Sequence, residues 1–401
     1  MNFEESYDVI IAGAGPAGST AAYYAAKGGL SVLLVDKKKD LGSPLQCGGF
    51  LPCLDELHEL LPAAELPETL ESIPASIIHT TTKYHRFISP KGDFKEFCVE
   101  ASVLDRRRFD KHLAKLAAKQ GAQLCVGTKV LDVDYTAPKG VDVTLKDISG
   151  IHTVNAKIII GTDGPYSIVA RKSGLSGKPD PMGRAHAIEY ELSGVNIDTE
   201  AVEMYFGRDY VPGGYAWIIS QGEDTANIGV GIRKAMCEPG LTIRDYLERF
   251  MHEHPVASKK LEGGTITAII AGVVPVGGAP KITCTDNTII AGDAAGHLIT
   301  TNGGGIPTAM VGGKTAGECA VDFINGIAPL TAYEKRWRQQ MGTEIATSLV
   351  VRKLMDSLMR SDSMMTAAIK MIPEEHMKAL QRGRLPDAVK RLLESMNAGF
   401  M

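Results

Sequence analysis

Residues 7–36 read YDVIIAGAGPAGSTAAYYAAKGGLSVLLVD, and this stretch decides the fold. Residues 7–12 and 31–36 are short apolar runs of the kind that form buried parallel strands. Residues 16–27 lie between them, are rich in alanine and end before two glycines, which predicts a helix with a glycine stop. The stretch therefore predicts a strand–helix–strand unit, from which doubly wound α/β domains are built.

The turn from the first strand into the helix is the first candidate binding site. It consists of Gly13, Ala14, Gly15, Pro16, Ala17 and Gly18. Three glycines at this spacing permit a tight turn, let the backbone approach a pyrophosphate and let the helix pack closely on the strand. The helix N-terminus would then direct free N–H groups at the phosphates. Asp36, 18 residues after Gly18, can accept hydrogen bonds from ribose hydroxyls, which disfavours a 2′-phosphate. The turn predicts a dinucleotide site without separating NAD from FAD.

The rest of the chain divides into regions that differ in predicted secondary structure. A helix is predicted at residues 107–121. Strands are predicted at residues 123–130, 141–145 and 153–160. Residues 182–276 alternate apolar and polar positions as half-buried strands do, and a helix at 242–254 interrupts them. The predicted boundaries are 1–75, 100–180 and 277–330 for a discontinuous α/β domain, 76–99 and 181–276 for an inserted β-rich lobe that binds substrate, and 331–401 for a C-terminal helical region.

A second motif narrows the cofactor to FAD. Residues 292–296 read GDAAG directly after an apolar strand, and Gly303-Gly304-Gly305-Ile306 begins another helix. This pattern resembles the C-terminal motif of Rossmann-like FAD proteins of the glutathione reductase and aromatic hydroxylase type. The resemblance implies that Asp293 binds the ribityl chain, and that N–H groups of Gly304, Gly305 and Ile306 face the pyrimidine edge of the flavin and stabilise its reduced form.

Three more positions are predicted to contact FAD. Asp163 and Gly164, with Ser167 and Arg171 behind them, resemble the middle motif of the same proteins, although such a pair alone is usually a turn. Arg106 matches their cofactor-binding arginine, with a solvated charge as the alternative. Val130 is the third position.

Among these FAD proteins, the chain most resembles the geranylgeranyl reductases, including archaeal enzymes that saturate isoprenoid chains of membrane lipids. The segments that carry the resemblance are GAGPAGSTAA, SPLQCGGFL, VLDRRRFDKHLAKLAAKQGA, YAWIIS, NIGVGI and GDAAGHLITTNGGGI. It implies an isoprenoid lipid substrate, with hydride from N5 of the reduced flavin going to one alkene carbon and a proton to the other. It also places Cys47 and Gly48 beside the isoalloxazine ring and Tyr215 and Trp217 along the lipid cavity.

Three departures from the family pattern fall where the substrate should meet the flavin. Gln46-Cys47-Gly48-Gly49-Phe50 stands for Arg-Cys-Gly-Glu-Gly, Ile219-Ser220 stands for Phe-Pro, and Thr300 replaces a common proline. We therefore predict that Thr300, Tyr215 and Trp217 contact the substrate. The departures leave the FAD site intact and the exact prenyl substrate open.

The proton donor has two candidates in the sequence. Cys47 is a conceivable acid beside the ring, with pocket shaping or a small buried hydrophobe as alternative roles. His297 follows the Asp293 turn, and a surface or helix-capping role competes with the acid role there.

The three FAD motifs leave other functions open. The chief alternative is an FAD-dependent monooxygenase of an aromatic or quinone-like substrate, and a non-catalytic flavin-binding protein is a further one. The Trp-x-Trp-x-Ile-Pro signature of flavin halogenases and the cysteine cluster of an electron-transfer flavoprotein:quinone oxidoreductase are both absent from the sequence. The sequence has one clear dinucleotide fingerprint, so we expect an external electron donor: NAD(P)H in a transient visit, ferredoxin or a reduced deazaflavin.

The composition of the chain limits which binding partners and which cellular location we expect. The net charge of -4 gives no reason to expect a nucleic acid partner, and the seven cysteines form no CxxC pair, so no metal site is suggested. We expect a cytoplasmic protein. Nine of the 15 methionines lie between Trp337 and Met401. The basic residues interspersed among them include Arg352, Lys353, Arg360, Lys370, Lys378, Arg382 and Arg384. This region is either a helical cap on the flavin domain or a peripheral contact with lipid headgroups.

Overall fold

The computed structural model describes residues 3–44, 47–137, 140–177 and 180–386. The strands are β1 (Ser6–Ala12), β2 (Val32–Asp36), β3 (Phe50–Pro52), β4 (Ile78–Ile88), β5 (Phe94–Leu104), β6 (Gln123–Val126), β7 (Lys129–Asp134), β8 (Val141–Lys146), β9 (Ile151–Gly161), β10 (Ala185–Ser193), β11 (Ala201–Tyr205), β12 (Tyr215–Ser220), β13 (Thr225–Ile232), β14 (Thr265–Val274) and β15 (Thr288–Ile290). The helices are α1 (Pro16–Lys27), α2 (Leu54–Leu60), α3 (Arg106–Lys119), α4 (Ile168–Lys172), α5 (Ile243–Glu253), α6 (Ala257–Leu261), α7 (Ile306–Ile324), α8 (Ala332–Trp337), α9 (Thr343–Leu358), α10 (Asp362–Met371) and α11 (Glu374–Gln381).

The strands form two sheets. In the first, the order is β6-β2-β1-β9-β8-β7, and β15 pairs with the C-terminal half of β9. Strands β6, β2, β1, β9 and β15 run parallel, as the strand–helix–strand prediction requires, while β7, β8 and β9 form an antiparallel meander. The predicted α/β class and the predicted helix at residues 16–27 are confirmed.

The prediction of one strand at residues 123–130 is wrong, because the chain turns in the middle of it. Gly127 adopts a φ of +64°, and its N–H donates to the carbonyl oxygen of Lys38 over 2.8 Å. The N–H of Thr128 donates to the carbonyl oxygen of Asp36, also over 2.8 Å. The stretch is therefore split into β6 and β7, and the turn closes against the end of β2.

The second sheet has the order β14-β10-β13-β12-β11-β4-β5-β3 and is antiparallel except for the β11–β4 pair. Helices α5 and α6 cover one face of it, with Tyr246, Leu247 and Phe250 in the shared core. The other face is turned towards the first sheet. Strand β3 lies inside the range predicted for the FAD domain yet pairs with β5 of this sheet, and the domain boundaries stay a prediction.

The core of the first sheet is completed by α1, α3 and α7. Helices α1 and α7 cross closely, since a Cβ at Gly313 would lie 2.2 Å from the carbonyl oxygen of Ala17. Tyr333 and Trp337 of α8 are buried in this same core. The start of the predicted C-terminal region thus packs as part of the flavin domain.

Helices α9, α10 and α11 pack against the second sheet, where four of their side chains share a core with Phe87, Phe97, Met204 and Phe206. Those four are Met359, Met365, Ile369 and Met377. Residues 387–401 of the predicted helical region lie outside the described residues. Within the described part, none of the helices combines the length and the apolar character that crossing a bilayer requires.

Candidate functional site

The glycine turn at residues 13–18 is shaped to receive a phosphate group. A Cβ at Gly13 would lie 2.4 Å from the carbonyl oxygen of Thr162, and one at Gly18 would lie 1.8 Å from that of Gly13. These two glycines are required by close packing. A Cβ at Gly15 would meet nothing within 4 Å, so the backbone there borders open space at the start of α1. This is the arrangement that the three predicted roles require.

Asp36 ends β2 beside that turn. Its carboxylate accepts hydrogen bonds from the N–H groups of Ala14 (2.8 Å) and Lys38 (2.7 Å). Each oxygen retains a free lone pair, and the side chain is half-buried, so a ribose hydroxyl can still donate to it. Val130, in contrast, has its side chain in the core beneath β7, and only its backbone can reach a cofactor.

The predicted middle motif adjoins the first one through Thr162. The Thr162 hydroxyl lies 2.9 Å from the carbonyl oxygen of Ala12 and 2.8 Å from that of Gly13. Asp163 next to it accepts hydrogen bonds from the hydroxyl of Ser167 and from the N–H of Ile168, which begins α4. Arg171 is exposed at the other end of α4. Asp163 therefore has a structural partner already, and Gly164 borders open space with a φ of +83°.

Asp293 and the glycines before α7 form the third part of the site. Within the described residues, the Asp293 carboxylate makes no hydrogen bond, and a Cβ at Gly305 would lie 3.7 Å from its Oδ1. Burial raises the pKa of Asp293 to about 6, against the effect of the Arg106 charge. Gly292, just before it, contacts the Cβ of Ala17 in the first motif. An unpartnered carboxylate beside a helix N-terminus, opposite an open glycine turn, fits the ribityl and pyrophosphate groups of FAD.

Only 13% of the Arg106 side chain is exposed, so the solvated-charge alternative is wrong. It begins α3 and binds both carboxylate oxygens of Asp110, with Nη2 at 2.9 and 3.2 Å. Burial opposes the charge of Arg106, but Asp110 and then Cys47 raise its pKa. Cys47 therefore lies against the guanidinium group, and its Sγ accepts the N–H of Gly49 over 3.4 Å. Gln46 lies outside the described residues.

A largely apolar cavity joins these cofactor elements to the second sheet. The loops that border it on the cofactor side contribute Cys47, Gly48, Gly49, Thr300, Gly303, Gly304 and Gly305. The sheet contributes His85, Val99, Ala187, Glu189, Val202, Met204, Tyr215, Trp217 and Ile219. The C-terminal helices contribute Arg352, Met355, Met359 and Gln381. The cavity is thus closed by all three parts of the chain.

Tyr215 and Trp217 line this cavity, and their contact with the substrate stays a prediction. The Tyr215 hydroxyl donates to the carbonyl oxygen of Asn302, and burial, followed by Cys47 and Glu189, raises the pKa of Tyr215. Trp217 packs over Gly229, where a Cβ would lie 2.4 Å from its ring. Its Nε1 donates to Oδ1 of Asn227 over 2.7 Å.

Glu189 was missed in the sequence. It is 3% exposed, lines the cavity, and accepts a hydrogen bond on Oε2 from Nδ2 of Asn227 over 3.0 Å. Burial raises the pKa of Glu189 to about 7, while Asn227 and Arg106 act in the opposite direction. In the sequence, Glu189 shares one face of an alternating strand with Ala185 and Ala187. A carboxylate on such a face normally indicates exposure to solvent, so nothing else in the sequence indicated a site residue here.

Thr300 lines the cavity, but its polar groups point to a helix. Its N–H donates to Oγ of Ser348 in α9 over 3.0 Å, and the two hydroxyl oxygens are 3.2 Å apart. A proline has no N–H to make the first of these hydrogen bonds. The departure at this position therefore attaches the loop before α7 to the C-terminal helices.

Neither role predicted for His297 is correct on geometry. The ring is fully buried, lies 4.5 Å from the Trp337 ring, and has no partner for either nitrogen among the described residues. Burial lowers the pKa of His297 to about 3, so it is neutral and holds no acidic proton. It is neither a surface nor a capping residue, and it does not border the cavity.

The departure at Gly49 has a backbone reason. Gly49 adopts a φ of +81°, and a Cβ there would lie 2.3 Å from the carbonyl oxygen of Leu104. A glutamate, as in the family pattern, would be strained in this conformation. Phe50 follows and lies against His85 in the cavity, with ring centroids 4.7 Å apart.

Comparison with known proteins gives two family matches. Residues 184–274 match the model of the geranylgeranyl reductase catalytic domain, and residues 8–175 match the model of FAD-dependent oxidoreductases. The first range includes Glu189, Tyr215, Trp217 and Asn227, and the second includes the glycine turn.

Individual proteins give the same result. The chain is 35% identical over 357 residues to digeranylgeranylglycerophospholipid reductase 2 of Methanothermobacter thermautotrophicus, with 88% of each chain covered. Among solved structures, it is similar to a geranylgeranyl bacteriochlorophyll reductase-like protein of Thermoplasma acidophilum, with a TM-score of 0.79, 28% identity, and 95% and 93% of the two chains covered. A variant of halogenase PltM in complex with FAD has a TM-score of 0.70 at 17% identity over 89% of this chain and 78% of that one, a likeness of fold alone.

Proposed function

Because the chain belongs to the digeranylgeranylglycerophospholipid reductase family, we propose that it saturates double bonds of geranylgeranyl chains in membrane lipid precursors. FAD is its cofactor, and it is an FAD-dependent oxidoreductase. The observation that carries the proposal is the apolar cavity between the cofactor glycines and the cavity face of the second sheet. A long unfunctionalised alkene chain matches such a lining, whereas an aromatic or quinone-like monooxygenase substrate would present polar groups to it.

Each part of the site has a task in this reaction. The glycine turn, Asp36 and Asp293 would hold FAD, which supplies a hydride to one alkene carbon when bound and reduced. The cavity excludes water and orients the alkene next to Cys47 and Gly48, which lets the two transfers be coupled. Cys47 as the proton donor stays a prediction.

Lipid mass spectrometry is the direct test of this function. The holoenzyme would be reduced anaerobically with dithionite and mixed with a lipid that carries geranylgeranyl chains, because each double bond reduced adds two hydrogens. We expect masses that rise in steps of two hydrogens. Unchanged lipid under these conditions, together with oxygen-dependent consumption of NAD(P)H in the presence of a phenol, would instead support the monooxygenase.

The physiological electron donor is proposed to be external to the chain. Described residues show one glycine turn of the dinucleotide type, which FAD would occupy. Ferredoxin, a reduced deazaflavin and NAD(P)H are all compatible with this. Stopped-flow bleaching of the bound flavin with each donor separates them, and the donor that bleaches it within the turnover time is the physiological class.

We also propose a peripheral membrane contact through α9 and α10. Helices α9 and α10 expose Val350, Leu354, Met364 and Met371, and Lys353 and Arg360 are exposed nearby. Four of the basic residues named from the sequence, Arg352, Lys370, Lys378 and Arg382, make ion pairs, and Arg384 donates to the carbonyl oxygen of Glu59. Fewer basic side chains are therefore available to contact lipid headgroups than the sequence indicated.

Liposome flotation tests this contact with Leu354→Glu and Met371→Glu. We expect both variants to keep bound flavin and to lose flotation with anionic vesicles. Flotation equal to that of the wild-type protein would leave these helices as a cap only.

A further inference from the structure

We propose that Glu189 is the acid that protonates the alkene carbon opposite the hydride, through the carboxyl oxygen that faces the cavity. This inference rests on the proposed alkene reduction and names a catalytic residue for it. The evidence is the position of Glu189 in the cavity, the polarity of its hydrogen bonds and the chemistry of the neighbouring groups.

Glu189 lies at the centre of the cavity face of the second sheet. Its strand neighbours are Gly229 on β13 and Ile270 on β14, and Gly229 is also the register partner of Trp217. Ala185 and Ala187 precede it on the same face and leave room above the strand. Glu189 is near enough to Arg106 and Tyr215 to influence the pKa of Tyr215 and to be influenced by Arg106. It therefore lies at the cofactor side of the cavity.

The hydrogen bonds fix which oxygen of Glu189 can carry a proton. The indole N–H of Trp217 is only a donor, so the atom of Asn227 that it contacts must be the carbonyl Oδ1. The amide nitrogen of Asn227 then points to Oε2 of Glu189 and donates to it. A protonated Glu189 must consequently hold its proton on Oε1. Within the described residues, Oε1 makes no hydrogen bond, and the Glu189 side chain lines the cavity.

Other polar groups at the cavity are poorly suited to release a proton. The Tyr215 hydroxyl proton is engaged with the carbonyl oxygen of Asn302, and the pKa of Tyr215 is raised. Burial lowers the pKa of His85 to about 3, so this ring is neutral at neutral pH. Glu56 is paired through one oxygen with Lys378 and through the other with Arg382, so both of its oxygens are occupied. Cys47 lies against Arg106 on the cofactor side, and its sulfur already accepts the N–H of Gly49.

Glu189 differs from these groups because no cation lies within ion-pair distance among the described residues. Burial is the largest influence on the pKa of Glu189 and raises it; Glu191 of the same strand also raises it, and Arg106 of α3 lowers it. With a pKa of about 7, Glu189 is half protonated at neutral pH and mostly a neutral carboxylic acid below it. A general acid is most effective when its pKa lies near the operating pH.

The step is balanced in atoms and electrons. The π bond of the alkene breaks, hydride from the reduced flavin forms one C–H bond, and the proton on Oε1 forms the other. The flavin is oxidised by two electrons, and the alkene is reduced by two electrons. The Glu189 carboxylate then recovers a proton from solvent, and the external donor reduces the flavin again.

Single-turnover reduction of the lipid by dithionite-reduced holoenzyme is the first test. Glu189→Gln retains the volume and an oxygen acceptor for Asn227 but has no acidic proton. We expect its rate to fall by about 10²-fold or more, with flavin content and lipid affinity unchanged. Cys47→Ser tests the other candidate acid; the proposal requires a smaller loss there than in Glu189→Gln, and a larger loss would overturn it. A Glu189→Gln rate within about threefold of wild type would overturn the proposal.

The pH profile and the apoprotein supply readouts that folding of the variant does not affect. Because the acid must be protonated, the wild-type rate should be full below pH 7 and fall as pH rises through about 7. A rate that stays constant between pH 6 and pH 8.5 would contradict the proposal. In wild-type apoprotein with 13C-labelled glutamate side chains, we expect one carboxyl signal to titrate near neutral pH, and we expect that signal to be missing in Glu189→Gln. Lack of such a signal would also contradict it.

These experiments distinguish a failure of the proposed alkene reduction from a failure of the role proposed for Glu189. If wild-type holoenzyme saturates no double bond, the proposed function is wrong whatever Glu189 does. If wild type saturates the lipid and Glu189→Gln does so equally well, the function holds and the proton comes from another group.

Discussion

The hydroxyl of Thr162 lies 2.8 Å from the carbonyl oxygen of Gly13, although 149 residues separate them in the chain. This hydroxyl also contacts the carbonyl oxygen of Ala12, and the carbonyl of Thr162 excludes a side chain at Gly13. The phosphate-binding turn is therefore held by the end of β9. Its geometry depends on a residue that lies just before the middle FAD motif.

Thr162→Val should loosen this connection while keeping the shape of the side chain. We expect a loss of about 1–2 kcal/mol in the free energy of unfolding of the apoprotein, because two buried carbonyl groups lose their hydroxyl partner. FAD should also bind more weakly, since the turn is less well ordered. Urea denaturation and flavin titration measure the two effects. Thr162→Ser retains the hydroxyl and is the control; equal losses in both variants would show that the methyl group matters instead.

The three glycines of the turn should respond differently to alanine. Gly15→Ala places a Cβ in open space at a φ of -75°, so the apoprotein should be as stable as wild type. FAD affinity should nevertheless fall by roughly tenfold or more, because the Cβ occupies the position that the pyrophosphate approaches. Gly18→Ala should instead destabilise the apoprotein, since its Cβ would lie 1.8 Å from the carbonyl oxygen of Gly13. The opposite order, in apoprotein melting and flavin titration, would contradict these assigned roles.

The sequence was sufficient to predict FAD as the cofactor because the determinants of that prediction are local. Tight turns need glycine at fixed spacing, and Asp36 and Asp293 follow strands that apolar runs identify. Long-range partners could not be predicted in this way. Nothing local indicates that the Thr300 N–H donates to the hydroxyl of Ser348, which lies 48 residues later.

The substrate side was predicted less completely for a related reason. Glu189 lies in an alternating strand, where a carboxylate normally indicates the solvent face, and only the packing of the second sheet on the first makes that face internal. His297 was misjudged because its burial depends on Trp337 of α8, which packs into the flavin domain. Both errors concern faces that distant segments cover.

Asp293→Asn should weaken FAD binding and stabilise the apoprotein, and the gain in stability should depend on pH. The folded-state pKa of about 6 exceeds the unfolded value of about 3.9, so the wild-type apoprotein loses stability as pH rises from 4 to 6. The variant does not titrate, and we therefore expect it to be more stable than wild type above pH 6 and similar to it near pH 4. Its FAD affinity should be lower, because the amide is a weaker acceptor for ribityl hydroxyls. A stability gain that is independent of pH would contradict burial of an ionisable carboxyl.

Thr300→Pro restores the residue that is common in the family and should loosen α9. The variant loses the N–H that Ser348 accepts, which we expect to cost about 1 kcal/mol and to raise amide hydrogen exchange in residues 343–358. Ser348→Ala removes the other partner and should produce the same exchange pattern. Thr300→Val retains the N–H and is the control. Unchanged exchange in α9 of Thr300→Pro would show that the loop is held by Thr301 and Asn302, which contact Gln381.

Trp217→Phe tests whether the indole N–H orients Asn227. Without that donor, the Asn227 amide is free to rotate and present Oδ1 to Glu189, and the carboxyl proton would then move to Oε2 and away from the cavity. We expect a single-turnover rate about tenfold or more below wild type, with the falling limb of the pH profile displaced to higher pH, because the protonated form gains an acceptor. Tyr215→Phe, which removes a neighbouring hydroxyl and leaves Asn227 in place, should leave the position of that limb unchanged. If Trp217→Phe lowers the rate without moving the limb, Trp217 acts through substrate packing and not through Asn227.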